Sequence, residues 1–142
     1  MNTDAFYEVL ATTNLIALAT SIENIPNVRL VNFCYDKKKP EILYFATDRE
    51  NQKVKEFGVN PKIAFTTVPL DGQSIPHIRS QKASVRKSDM KLSEVQDLFI
   101  AKVPGYDETI QAIGESLDVY EIHIQEAIVI LGFDSVETVI FK

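Results

Sequence analysis

Short apolar, β-branched runs and helical stretches follow one another in this chain without regular alternation, and that order limits the folds open to it. Phe6, Val9 and Leu10 stand at helical spacing within residues 3–12 and predict a short N-terminal helix. LIALATSI (Leu15–Ile22), NVRLVNFCY (Asn27–Tyr35) and ILYFAT (Ile42–Thr47) predict three strands, with turns at Asn24–Pro26 and Asp36–Pro40. RENQKVKEF (Arg49–Phe57) predicts a helix that ends at Gly58. KIAFTTV (Lys62–Val68) and IPHIRSQKASVRK (Ile75–Lys87) predict a long hairpin across PLDGQS. Lys91–Lys102 predicts an amphipathic helix with Leu92, Val95, Leu98 and Phe99 on one side, and Asp107–Gly114 a second helical piece. Asp118–Phe133 and Glu137–Phe141 close the chain as strands. A doubly wound parallel sheet needs alternating strands and helices, so this order predicts a mostly antiparallel barrel with helical insertions.

The length, 142 residues, suits one domain spanning 1–142 that buries roughly two thirds of its unfolded surface. The first three strands carry apolar residues on both faces, so both faces should be covered, by a barrel interior on one side and a partner on the other. The formal charge of -5 argues against a general binder of nucleic acid or of anionic membranes, which needs a basic face. One cysteine, Cys34, permits no internal disulfide and fits a reducing compartment. The start, MNTDAFYEVLATTN, has no basic stretch followed by an apolar run, and no segment approaches the ~20 apolar residues of a membrane span. The expectation is a cytoplasmic protein with no membrane contact.

Several chemistries find no support. The five glycines are isolated and form no phosphate loop, and no G-x-S-x-G elbow is present. His77 and His123 lack metal-ligand spacing, so no metal site is assigned. Cys34 reads as an inert core residue. No side chain identifies itself as a catalytic acid or base.

One segment does stand apart. Thr47-Asp48-Arg49-Glu50-Asn51-Gln52-Lys53 joins a strand end to a helix start, where unpaired backbone N–H groups favour anions. A hydroxyl, two amides and an ammonium complete the donor set that a phosphate monoester needs. An ordinary capped surface helix is the alternative. Arg29 lies mid-strand among Val28, Leu30, Val31 and Phe33 and requires an anionic partner, either a structural carboxylate or a bound phosphate.

The run from LATSIENIPNVRLVNFCYD to NPKIAFTT resembles the flavin mononucleotide (FMN) binding split barrel of the pyridoxamine-phosphate-oxidase-like family. The matching positions are Arg29-Leu30-Val31-Asn32, Thr47, Asn51-Gln52-Lys53 and Asn60-Pro61. The resemblance implies an antiparallel split β-barrel, mainly β with short peripheral helices. It implies a homodimer with FMN at the interface. It assigns Arg29, Thr47, Asn51, Gln52 and Lys53 to the phosphate and Leu30, Val31 and Asn32 to the flavin ring, with Arg79 and Gln81 as further cofactor contacts. The C-terminal GFDSVETVIFK lacks the Arg and Pro by which family oxidases hold pyridoxal phosphate, which argues against vitamin B6 oxidation. The functional expectation is an FMN-dependent oxidoreductase of unknown substrate. The alternatives are a flavin-binding module without turnover, or a split barrel using haem, a deazaflavin or no cofactor.

Overall fold

The computed structural model describes residues 3–141. Eight strands form one sheet: β1 (Leu15–Ile22), β2 (Ile25–Asn32), β3 (Cys34–Tyr35), β4 (Ile42–Asp48), β5 (Lys62–Thr67), β6 (His77–Lys87), β7 (Leu117–Gly132) and β8 (Ser135–Ile140). Their order is β2-β1-β5-β6-β7-β4-β3, with β8 added on β7, and all pairings are antiparallel. The sheet curls into the split barrel that the element order and the resemblance implied. Among the described residues, four α-helices lie around it: α1 (Asp4–Leu10), α2 (Gln52–Val59), α3 (Leu92–Lys102) and α4 (Tyr106–Ile113), the last followed by a 3-10 turn at Gly114–Ser116.

Strand alternation divides the core in two. On β4, Leu43 and Phe45 point into the barrel and join Phe6, Ile16, Leu18, Phe33 and Ile78. Ile42 and Tyr44 point the other way, against Val95 and Phe99 of α3 and Tyr106 of α4. The second apolar face of β4 is therefore covered within the chain, and it needs no partner. β2 behaves differently: it is an edge strand, and Val28 and Leu30 remain exposed on its outer side.

Several boundaries differ from the sequence expectation. The first hairpin turns at Glu23-Asn24, both at positive φ (51° and 67°), the geometry of a two-residue primed turn. Pro26 then falls inside β2, which a strand on the sheet edge tolerates. The predicted second strand breaks at Phe33, whose N–H leaves the ladder to bond the Asn14 carbonyl at 3.0 Å. Gly58 is a helical residue rather than a terminator, because α2 continues to Val59 and is capped by Asn60. Leu98 faces outward from α3, and Val95 and Phe99 carry its packing.

β7 changes partner along its length. Its first half pairs with β4 and its second half with β8, while β6 follows it throughout. The β6–β7 register shifts at Arg79/Lys82 and shifts back at Lys82/Ala83. Two residues of β6, Ser80 and Gln81, stand against Ala127, and one residue later Gln125 is the extra residue on β7. The Ser80 hydroxyl secures the bulge by donating to the Glu126 carbonyl at 2.6 Å.

Candidate functional site

A cavity of about 410 Å³ opens where β2, β4 and the start of α2 face the α3–α4 turn. It gathers six of the ten residues that the sequence assigned to cofactor: Leu30, Val31, Asn32, Thr47, Asn51 and Lys53. Of the β2 residues, Leu30 and Asn32 lie on the exposed face, and Val31 between them packs into the barrel core. Thr47 ends the buried run of β4, and Asn51 caps α2 by accepting the Lys53 N–H at 3.0 Å on its side-chain oxygen. Asp48 also lines this polar sector, with one carboxylate oxygen accepting the Glu50 N–H at 2.8 Å.

The backbone contributes less than expected. The N–H groups of Arg49, Glu50, Asn51, Lys53 and Val54 all bond within the chain, to Ser116, Asp48, Asp48, Asn51 and Asn51 respectively. The strand–helix junction is thus not a nest of open donors, and the charged lining consists of the Lys53 cation and the Asp48 carboxylate. Lys53 is 8% exposed, and no ion pair to it occurs among the described residues. Burial lowers its pKa, as does the neighbouring Arg29 cation, while Asp48 opposes them. An ammonium at the wall of a cavity with no carboxylate ion-paired to it attracts an anion.

Arg29 lies just behind this wall. Its guanidinium pairs with the Glu56 carboxylate and donates to Thr20 Oγ1 at 2.8 Å. Glu56 also accepts from Thr20 Oγ1 at 3.0 Å and from Asn27 Nδ2 at 3.3 Å. Burial raises the Glu56 pKa, but the hydrogen bonds from Asn27, Thr20 and Arg29 outweigh it and hold the carboxyl below its ordinary value. Of the two partners open to Arg29 from sequence, the structural carboxylate is the one in contact with it.

The other assignments disperse. Gln52 is exposed on α2 and does not line the cavity. Arg79 and Gln81 project outward from the β6 bulge, beside a separate pocket of about 270 Å³. Within one chain they do not join the Lys53 cavity.

Sequence reasoning missed the opposite wall, formed by Val103, Pro104, Tyr106, Thr109 and Ile113. Pro104 and Gly105 (φ 77°) turn the chain between α3 and α4 and lay α4 across the opening. The Pro-Gly pair was the one local sign of this turn. Burial, with a smaller contribution from Cys34, pushes the Tyr106 phenol up to about 12.

A family model described as pyridoxamine 5'-phosphate oxidase-like matches residues 9–135. No curated protein matches the sequence. Among solved structures, a haem-binding protein from Mycobacterium smegmatis superposes with a TM-score of 0.74 at 13% identity, over 99% of this chain and 59% of that one. The chain therefore spans less than two thirds of that protein. A NimC/NimA family protein from Clostridium acetobutylicum gives 0.67 at 20% identity, over 94% and 87% of the two chains. An FAD-binding protein from Mesorhizobium loti gives 0.64 at 13%, over 89% and 90%. These likenesses establish a shared fold.

Proposed function

Because the chain belongs to the pyridoxamine 5'-phosphate oxidase-like family, we propose that its Lys53 cavity holds FMN and that the protein is a cytoplasmic, homodimeric flavin-dependent oxidoreductase of a single domain. The observation that carries this reading is Lys53, a largely buried side chain that lines the cavity beside Thr47 and Asn51 and has no ion-pair partner among the described residues. These groups fit a phosphate monoester, with Lys53 for charge and the Thr47 hydroxyl and Asn51 amide as further donors. Leu30 and Asn32 and the β2 backbone at Val31 then face the flavin ring, and Pro104, Thr109 and Ile113 bound it on the far side. The flavin supplies the redox chemistry, and the protein binds, orients and shields it. Arg29 supports the phosphate site indirectly, by holding α2 to the barrel edge through Glu56. Arg79 and Gln81 reach a cofactor only from a second subunit.

Haem is the rival, since structural neighbours include proteins named for haem binding and haem storage. Haem iron takes a His, Cys, Met or Tyr side chain. Of these types the cavity lining among the described residues holds only Tyr106, a largely buried side chain packed against Phe99. Flavin is therefore favoured. The visible spectrum of the purified protein, followed by titration with FMN and with haemin, tests the reading. Flavin absorbance and saturable FMN binding are expected, and haem binding without FMN binding would overturn it. NAD(P)H-driven turnover then separates an enzyme from a flavin-holding module.

A further inference from the structure

A second cavity, of about 570 Å³, lies elsewhere, between the α1–β1 turn, the end of β3 and α3, and shares no lining residue with the Lys53 cavity. It contains a half-buried cation, Lys102, on the last turn of α3. The ammonium donates to the Leu10 carbonyl at 2.7 Å and stands 5.0 Å from the Phe33 ring centre and 5.1 Å from that of Tyr35. An ammonium has three N–H donors, and one is committed here. No ion pair to Lys102 occurs among the described residues. Burial lowers its pKa to about 8, against the opposing effect of Cys34, so at neutral pH it is still mainly a cation.

The remaining lining sets the ligand class. Lys37 adds a second cation and Asp36 a single carboxylate, so the cavity is net positive on a chain of net charge -5. Leu70 and Leu98 present apolar side chains to it, and both are exposed. One face of Tyr35 stacks on Tyr7 at 5.4 Å. A cation at the base of an opening bordered by leucines and an aromatic ring matches a molecule with one anionic end and one compact apolar body. We propose that this cavity is a second ligand site, which takes a small amphipathic monocarboxylate with its carboxylate on Lys102. The proposal is independent of the flavin reading.

Titration of the full chain at pH 7 with sodium benzoate, followed by amide NMR, tests it. Saturable shifts are expected at Thr12–Asn14, Tyr35–Lys37 and Ala101–Lys102. Benzyl alcohol has the ring without the charge and should bind at least ~10-fold more weakly, the effect of one lost charge-assisted hydrogen bond. Lys102→Met should remove that preference. Because Lys102 also ties α3 to α1, Leu98→Glu serves as a second variant: it leaves Lys102 in place, lies on the exposed side of α3, and should repel benzoate by its charge. FMN titrations should be unchanged in both variants. Absence of shifts up to high millimolar benzoate, equal binding of the alcohol, or wild-type benzoate affinity in Leu98→Glu would overturn the proposal.

Discussion

Glu56 takes the guanidinium of Arg29 across the gap between α2 and β2, so the helix that carries Lys53 also neutralises the arginine beside it. The two cations thereby acquire different duties. Arg29 fastens the helix to the barrel edge, and Lys53 is left as the cation that lines the cavity, with Asp48 nearby but not ion-paired to it.

Lys53→Ala should weaken FMN binding by roughly 10- to 150-fold, the loss of one charge-assisted hydrogen bond. Riboflavin, which lacks the phosphate, should bind almost as before. Parallel titrations of the two flavins check this, and unchanged FMN affinity in the variant would reduce Thr47–Lys53 to a capped surface helix.

Arg29→Ala should act mainly on stability. It leaves Glu56 buried without its cation, and breaking a buried pair from one side costs about 3–5 kcal/mol. Thermal denaturation without FMN should show a large drop in midpoint. A variant of wild-type stability that has lost the FMN-over-riboflavin preference would instead make Arg29 a direct phosphate ligand.

The same pair predicts an acid response. The folded-state pKa of Glu56 is depressed, so its stabilisation is complete above the unfolded glutamate value of about 4.3 and is lost as pH falls below that, through the folded value. Glu56→Gln should be less stable than wild type at pH 7, and the gap should narrow as pH falls from about 5 to 3. A gap that is constant with pH would show that the carboxylate charge does not matter.

Phe45 stacks on Tyr120 at 5.6 Å and meets Phe57 of α2 edge-on at 5.8 Å. Phe45→Ala should cost about 3–5 kcal/mol. Because Phe57 shares a helix with Lys53, FMN affinity should fall as well, measured well below the unfolding midpoint.

Homodimer formation, if it uses the exposed face of β2, should weaken on Val28→Glu, which places a charge at a residue 62% exposed in the single chain. Sedimentation at micromolar concentration should show a wild-type dimer and a shift toward monomer in the variant. Monomeric wild type, with and without FMN, would rule the dimer out.

Strand positions were legible in the sequence because β1, β4 and β5 are apolar runs bounded by turn residues, and local pattern determines them. The contacts around Arg29 were not. A lone arginine in VRLVNF announces a need for an anion, but its partner lies 27 residues away on another element. Gly58 misled for a related reason: the α2 backbone stays helical past it, and Asn60 does the capping. The α4 wall escaped because Thr109 and Ile113 carry no distinctive chemistry and reach the cavity only through the turn at Pro104-Gly105.

The paired bulges of β6 and β7 bear on how this chain can vary in length. Side chains alternate between faces, so removing Gln81 alone would slip His77–Ser80 by one position against β7. Ile78 and Ser80, both buried, would turn toward solvent, and exposed Arg79 would turn inward. Removing Gln125 alone would impose the complementary slip. Deletion of both together would restore a continuous ladder with every neighbour on its present face. Viable descendants of this sequence should therefore keep both extra residues or lose both at once.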